Sequence, residues 1–236
     1  MNDKIKALVL SINDYRENDS ILQVISEDKS FLSLVVRGAK KLTTKHHFNT
    51  LCIYEFIIDY KDNKTIYTIH NGKLIESFYE DKDLALLSYK NILLELTIKS
   101  KELYEFEMYK NICCTLRDIN RQNMYLLGSL YVGYLLRLYG INPNVDSCVM
   151  CGNKKVVAIS NRYGGFLCQE HLNQETTLSI DYLKKFRLIN KANFNNYDLI
   201  KDVEYDIKDF SIIIDFFINN SDINIKSYKF YKELFG

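Results

Sequence analysis

The sequence has little of several features on which common protein classes depend. Its 236 residues include one proline and no tryptophan, whereas tyrosine occurs 18 times. No stretch approaches the about 18 to 20 uninterrupted apolar residues that a membrane-spanning helix needs, so we expect no membrane partner. The formal net charge is +1, so recognition of a nucleic acid would have to come from a local patch of charge.

Motifs of several large enzyme classes are also absent from the chain. It has no GxxxxGK[ST] phosphate loop, no GxGxxG after a strand, no GxSxG elbow and no HExxH pair. Carboxylates are numerous but scattered, so we expect a protein that is not an enzyme. The N-terminal apolar run lacks a small-residue cleavage pattern after it, so we expect a strand there and a cytoplasmic protein.

The first eighty residues alternate between apolar and polar positions, as strands do. Five such runs, with one long connection, predict a small antiparallel barrel, for which an OB-type barrel is the leading interpretation. An open SH3-like barrel is the alternative, and Asn71-Gly72 could instead form a hairpin turn that divides the last strand. The predicted strand runs are IKALVLSI, SILQVIS, FLSLVVRG, LCIYEFIIDY and TIYTIHNGKLIESF.

The period changes to that of helices near residue 81. Asp83 is a plausible N-cap for the first helix, and the apolar third helix should end at Gly140 and Pro143. The small residues Gly128, Ser129 and Gly133 in that helix should permit close helix packing. We predict a helical domain over 81–145 and 174–236, interrupted by a Cys/His segment over 146–173, after a barrel domain over 1–80. The fold class is therefore α+β.

The Cys/His segment contains two pairs of potential metal ligands with the same spacing. Cys148 and Cys151 form a C-x2-C pair followed by Gly152, and Cys168 and His171 repeat the two-residue gap. Structural zinc takes four Cys or His ligands in a tetrahedron, often as two close pairs. The runs KVVAIS and GGFLC between and beside them read as two short strands, which is a zinc-ribbon layout. We predict one structural zinc ion; a metal-free pair or a reversible disulfide is the alternative.

Four protein ligands would leave no open position on this zinc. Catalytic zinc normally keeps a site for water, and the deaminase motif of a Pro-Cys-x-x-Cys pair with an upstream His-x-Glu is missing. We therefore expect the metal to stabilise a segment too small to have its own core.

A second feature is a window without acidic residues between Lys29 and Tyr54. On an OB-type barrel, loops and one strand face bind nucleic acid, and basic side chains there would neutralise phosphates. Phe31, Phe48 and Tyr54 could add base stacking or belong to the core. A solvated lysine-rich loop is the alternative. The same question arises for a second acid-free run over 182–197, in which Lys184, Arg187 and Lys191 would share a helix face. The basic residues of the first window include Arg37, Lys40, Lys41 and Lys45, which are the candidates for binding DNA or RNA.

Several stretches together resemble the bacterial RecO family of recombination mediators. They are the D-Y-x-E-N-D and R-G-A-K-K stretches of the opening strands, LLRLYGINPNVDSCVMCG, GGFLC and the closing INIKSYKFYKEL. The resemblance covers essentially the whole chain and implies an OB barrel, a helical domain and a zinc finger. It also places Arg37, Lys40 and Lys41 in the DNA-binding region of the barrel. The family usually has Cys as fourth zinc ligand, so His171 departs from its pattern.

The resemblance implies a function in DNA repair and recombination. It implies binding of single- and double-stranded DNA, annealing of complementary strands, and help for RecA to load onto gaps covered by single-stranded-DNA-binding protein, with RecR as partner. Two other hypotheses stay open at this point. One is an interaction adaptor whose zinc ribbon and helices dock proteins while the barrel does not touch DNA, and the other is a zinc enzyme.

Overall fold

A computed structural model describes residues 2–41, 47–61, 64–79 and 82–236. The chain divides into two compact units. The first unit comprises Met1–Asp118 together with Ser227–Phe235, and the second comprises Ile119–Lys226 with Gly236. Within the described stretches, none of the helices has both the length and the apolar character that crossing a bilayer requires.

A closed five-stranded barrel forms the first part of the first unit. The strands pair in the order β1-β2-β3-β5-β4, and β4 returns to β1. Neighbouring strands are antiparallel except β3 and β5, which run parallel where residues 33–35 face residues 66–68. This topology confirms the OB-type barrel, with one parallel pair in place of the wholly antiparallel pairing predicted. The strands are β1 (Asn2–Tyr15), β2 (Asp19–Ser26), β3 (Ser30–Val36), β4 (Cys52–Asp59) and β5 (Ile66–Ser77).

The barrel core is built from the inward-facing residues of each strand, as the period of two requires. β5 continues through Asn71 and Gly72, so the alternative of a hairpin turn at this position is wrong. Gly72 is needed for packing, because a Cβ there would lie 2.5 Å from the Phe48 ring. The buried cluster contains, among others, Ile5, Ala7, Val9, Leu22, Val24, Leu34, Phe56 and Ile58.

Six α-helices follow the barrel within the described residues. Asp83 caps the first of them by accepting a hydrogen bond from the Leu86 N–H at 2.9 Å, as the sequence predicts. The third ends as expected, with Gly140 at a φ of +67°. The helices are α1 (Leu84–Lys99), α2 (Phe106–Asp118), α3 (Met124–Leu138), α4 (Ile180–Lys191), α5 (Ile207–Ser221) and α6 (Lys226–Phe235).

Helices α1, α2 and α6 lie in the first unit with the barrel. Arg117 of α2 binds both carboxylate oxygens of Glu76 on β5, at 2.8 and 2.7 Å. At the start of α6, the backbone N–H and the hydroxyl of Ser227 both donate to Glu95 Oε2 of α1, at 2.8 and 2.5 Å. The final helix is thereby tied to a helix that precedes it by 132 residues.

Helices α3, α4 and α5 pack together in the second unit. Gly133 permits the close approach predicted for α3, because a Cβ on it would lie 3.2 Å from the Ile189 carbonyl oxygen of α4. Phe186 of α4 packs its ring against Phe216 of α5 at a centroid distance of 5.7 Å. The Cys/His segment adds a two-stranded sheet of β6 (Ala158–Ser160) and β7 (Gly165–Leu167). Both strands are shorter than the apolar runs that predicted them.

Candidate metal centre and nucleic-acid interface

The two ligand pairs of the Cys/His segment converge on one point. The ligand atoms of Cys148, Cys151, Cys168 and His171 all lie within 4.8 Å of one another. Cys151 Sγ is 3.7 Å from Cys168 Sγ, and His171 Nδ1 is 3.3 Å from Cys168 Sγ and 3.8 Å from Cys148 Sγ. A zinc tetrahedron with its usual bond lengths has S···S edges of about 3.8 Å and S···N edges of about 3.5 Å. The cluster could therefore hold one metal ion, with Nδ1 as the histidine ligand.

Two tight turns bring these four side chains together. In the first turn the Gly152 N–H donates to the Cys148 carbonyl at 2.8 Å, and Gly152 adopts a φ of +75° that favours glycine. In the second turn the His171 N–H donates to the Cys168 carbonyl at 3.1 Å. The β6–β7 hairpin carries the second turn, and Gly165 pairs with Asn144 just ahead of the first. The segment thus has the zinc-ribbon layout that the spacing predicts.

The local environment of Cys148 favours the thiolate that a metal ligand must be, whereas the neighbouring sulfurs raise the pKa of Cys151. Burial of Cys148 raises the pKa of its thiol, but the backbone N–H groups of Cys168, Met150 and Cys151 outweigh burial and lower the pKa to about 6. A cation bound at the centre would find one sulfur already disposed to lose its proton.

Three of the four predicted DNA-binding residues lie on the turn that follows β3. Arg37, Lys40 and Lys41 are all exposed on it, whereas Lys45 lies outside the described residues. Lys40 Nζ forms an ion pair with Asp14 Oδ2 at 2.9 Å. Both partners of this pair are solvent-exposed, and such pairs contribute only about 0 to 1 kcal/mol, so a phosphate could displace Asp14 from Lys40.

The turn itself is held by the β1–β2 connection. The Gly38 N–H donates to Asp19 Oδ1 at 2.8 Å, and the Lys40 N–H donates to the Asn18 carbonyl at 3.2 Å. Gly38 has a φ of +65°, a backbone conformation that residues with a Cβ adopt at a cost. We call residues 37–41 the basic turn. Its backbone is fixed while its cationic side chains remain in solvent.

A pocket of about 320 Å³ opens beside the basic turn, at the parallel β3–β5 pair. His70 lines this pocket from a bulge in β5. In the pairing of β4 with β5, Ile57 faces Asn71 and the next residue, Ile58, faces Ile69, so His70 is skipped. A bulge of this kind re-aims a side chain, and the alternating pattern of a strand gives no sign of it. The lining residues are Val36, Arg37, Asp59, Thr68, Ile69 and His70.

Phe31, Phe48 and Tyr54, the aromatic residues considered for base stacking, pack in the interior of the first unit or at its edge. Tyr54 is buried, and the Phe48 ring packs edge-on against it at a centroid distance of 5.0 Å. Phe31 packs edge-on against Tyr104 at 5.9 Å. The basic turn therefore offers charge and hydrogen-bond donors, and these three rings do not form a stacking platform next to it.

The cations of the second acid-free run all lie on α4. Lys184 is exposed, whereas Lys185 binds Asp209 Oδ2 at 2.9 Å and Asp181 Oδ2 at 3.1 Å. Arg187 and Lys191 make their contacts with the loop before the metal centre: Arg187 Nε donates to the Val145 carbonyl at 2.5 Å, and Lys191 Nζ binds Asp146 at 2.9 Å.

A closed OB-like barrel, helices and a ribbon with a Cys3His cluster define a barrel-and-helix protein with an appendage that could hold one metal ion. The model for the N-terminal part of recombination protein O matches residues 1–78, and that for its C-terminal part matches residues 81–219. The chain belongs to the RecO family of DNA repair proteins, which are recombination mediators and not known enzymes.

Curated relatives agree with this assignment. The chain is 29% identical over 185 residues to the DNA repair protein RecO of Bacillus cytotoxicus, a match that covers 74% of this chain and 73% of the relative. The proteins of the same name from Bacillus mycoides and Bacillus cereus match at the same identity and coverage.

Proposed function

We propose that this protein binds single- and double-stranded DNA through the basic turn and anneals complementary strands. With RecR, it then helps RecA to load onto gaps covered by single-stranded-DNA-binding protein, in the cytoplasm at the nucleoid. The observation that carries the proposal is the basic turn, which presents Arg37, Lys40 and Lys41 to solvent on a pinned backbone at the rim of an OB-like barrel. Lys45 extends the same acid-free window and is part of the proposed surface.

Annealing requires no bond to be made or broken in the protein. It requires a surface that holds strands by their phosphates and leaves their bases free to sample pairing partners. Cations on a rigid turn meet this need, because phosphate contacts position a strand without reading its sequence. The absence of a stacking platform among Phe31, Phe48 and Tyr54 is consistent with this use, since stacked bases would be withheld from pairing.

We propose that the metal at Cys148, Cys151, Cys168 and His171 is zinc and that its role is structural. Three sulfurs and one imidazole suit zinc, and four protein ligands complete a tetrahedral shell. Zinc would supply folding free energy to a ribbon whose strands have only three residues each. A catalytic zinc would instead bind water in place of one ligand, which X-ray absorption spectroscopy of the metal-loaded protein would detect.

The direct test is annealing of complementary oligonucleotides coated with the cognate single-stranded-DNA-binding protein. We expect the protein to accelerate annealing, and we expect the acceleration to fall when Arg37, Lys40 and Lys41 are all replaced by Ala. Annealing no faster than the spontaneous rate, at several protein concentrations and at low salt, would contradict the proposal. RecA loading on the coated strand, with and without RecR, tests the later step separately.

An interaction adaptor is the second candidate, and the Lys40–Asp14 ion pair favours it. That pair partly neutralises the basic turn, and Asp59 places a further carboxylate in the adjacent pocket. Fluorescence anisotropy with a short labelled strand distinguishes the two functions. A binding protein for DNA shows affinity that falls steeply with salt, whereas an adaptor shows no saturable binding at low salt.

A further inference from the structure

Arg137 differs from three neighbouring cations of α4, Lys185, Arg187 and Lys191, in having no bonded partner. It lies in the last turn of α3 and is half-buried, and no hydrogen bond or ion pair joins its guanidinium to another residue of the described chain. Burial lowers the pKa of Arg137, which is the sign of a charge held away from water without a compensating carboxylate. Lys185, Arg187 and Lys191 of α4 each bind an oxygen within 3.0 Å.

The Arg137 side chain lines an open pocket of about 350 Å³ within the second unit. Asp146 is the single acid among the lining residues, all of which fall inside the described range 82–236. We call this cavity the Arg137 pocket. It is lined by Arg137, Asn142, Pro143, Asn144, Val145, Asp146, Ser147, Asn190 and Lys191.

The surroundings of this pocket are strongly positive. Lys191 Nζ binds the Asp146 carboxylate at 2.9 Å, and Arg187 Nε donates to the carbonyl of the adjacent Val145 at 2.5 Å. One carboxylate thus lies among three cations, Lys191, Arg187 and the unpaired Arg137. Such an excess of positive charge repels metal cations and attracts anions.

The chemistry of the lining selects among anions. Pro143 and Val145 are buried, and the accessible lining is made of amides, a hydroxyl and charged groups. It has no exposed aromatic or large apolar side chain of the kind that anchors a peptide at an interface. Guanidinium and amide N–H groups match the oxygens of a phosphate, and Arg is the side chain best suited to that geometry.

We propose that the Arg137 pocket binds a backbone phosphate of single-stranded DNA, which gives the second unit a strand-binding site of its own. Arg137 supplies the buried charge, Asn142 supplies an amide, and Lys191 turns from Asp146 to the phosphate. The exposed Lys184 lies on the same face of α4 as Arg187 and Lys191 and extends the site along the strand. This inference rests on the DNA binding proposed above, and it adds a site in addition to the basic turn.

The test is fluorescence anisotropy of the full chain with a labelled oligothymidylate over a series of NaCl concentrations. For Arg137→Gln we expect binding about three- to tenfold weaker, and a plot of log affinity against log salt whose slope is shallower by about 0.7, the value for one phosphate. The matched control is Lys201→Gln, which removes the same charge in the same unit from a pair with Asp198 outside the pocket. It should leave both quantities unchanged.

A second variant changes binding in the opposite direction, so misfolding cannot imitate it. Asp146→Asn removes the carboxylate that holds Lys191, and we expect tighter binding with a steeper salt slope. Unchanged or weaker binding by Asp146→Asn would overturn the proposal. So would Arg137→Gln with wild-type affinity and slope, or Arg137→Gln that loses binding of an acidic peptide and not of DNA.

The two proposals fail in distinguishable ways. If the wild-type protein binds no DNA at low salt, both are wrong. If replacing Arg37, Lys40 and Lys41 abolishes binding and Arg137→Gln does not alter it, the Arg137 pocket is not a DNA site and the basic turn remains. We expect the triple variant to retain weak DNA binding. We expect that remaining binding to be lost when Arg137→Gln is added to the triple variant.

Discussion

The carboxylate of Asp19 accepts a hydrogen bond from the backbone N–H of Gly38 at 2.8 Å. The two residues come from separate stretches of sequence, the D-Y-x-E-N-D run before β2 and the R-G-A-K-K run after β3. The bond joins these two stretches, because the carboxylate of the first residue of β2 holds the backbone of the basic turn. Asp19 therefore helps to order the proposed DNA surface, although its own charge is negative and does not attract phosphate.

Replacing Asp19 should release the basic turn. We expect Asp19→Ala to lower the free energy of unfolding by about 1.5 to 3 kcal/mol, the usual contribution of a hydrogen bond to a charged group. Asp19→Asn keeps a carbonyl acceptor and should cost less. Urea unfolding followed by circular dichroism measures both. Equal stabilities for Asp19→Ala and the wild type would show that the bond does not hold the turn.

Removing the cations of the basic turn should weaken DNA binding at every sequence tested. For the combined Arg37→Ala, Lys40→Ala and Lys41→Ala variant we expect the salt slope for a single strand to fall by about 2, at about 0.7 for each phosphate that the protein no longer neutralises. Anisotropy titrations with strands of different sequence measure this. Loss of binding to one sequence alone would point to base recognition instead.

The control for this triple variant removes the same charge from exposed positions elsewhere. Its affinity and slope should match the wild type, and a parallel loss would mean that net charge, and not the basic turn, governs binding. The control substitutions are Lys201→Ala, Lys208→Ala and Lys229→Ala.

The fourth position of the metal centre should accept a thiolate as well as an imidazole. We expect the wild type and His171→Cys to hold about one zinc per chain after dialysis, and His171→Ala to hold less and to unfold at lower temperature. Atomic emission spectroscopy and thermal unfolding measure these properties. Cys114→Ala, which changes a cysteine of α2 outside the cluster, serves as the control. Full zinc retention by His171→Ala would exclude His171 as a ligand.

The cap of α5 should give the second unit a pH-dependent stability. Asp206 Oδ1 accepts the Asp209 N–H at 2.8 Å. Partial burial raises the pKa of Asp206, but the Asp209 N–H and the Tyr182 hydroxyl outweigh burial, and the pKa is lowered. A carboxyl whose folded pKa is lowered stabilises the fold above its unfolded pKa of about 3.9, and that stability is lost as the pH falls through the folded pKa.

We therefore expect Asp206→Ala to cost about 1 kcal/mol at pH 7, the usual loss for an N-cap, and less at pH 3. Denaturant unfolding at the two pH values measures the difference. Asp206→Ser keeps a capping oxygen that does not titrate, and it should retain stability at both. An Asp206→Ala deficit that is equal at pH 7 and pH 3 would contradict the linkage.

Local signals predicted much of the fold because each depends on neighbouring residues. The Asp83 cap, the end of α3 at Gly140 and the turn at Gly152 all follow from backbone preferences of single residues. Matched ligand spacing predicted the cluster, since two turns with the same gap present their side chains in the same way. His171 Nδ1 lies close to the cysteine sulfurs although a histidine departs from the family pattern at this position, and its role as the fourth ligand stays a prediction.

Other features depend on partners that are distant in sequence and were not predictable. The parallel β3–β5 pairing depends on how the barrel closes, and the His70 bulge depends on the register of β5 against β4. The Lys40–Asp14 pair joins the basic turn to the end of β1, two segments that no local pattern places side by side. Arg137 has the sequence context of an ordinary helix-ending cation, and only its burial without a partner distinguishes it.

The tie between Ser227 and Glu95 has a consequence for the order of folding. The ribosome makes the chain from its N-terminus, and domains generally fold as they emerge. Residues 119–226 of the second unit are therefore synthesised before Ser227–Phe235, the segment that completes the first. During synthesis the barrel and α1 therefore precede α6, and the hydrogen bonds from Ser227 to Glu95 form only after residues 119–226 have been made.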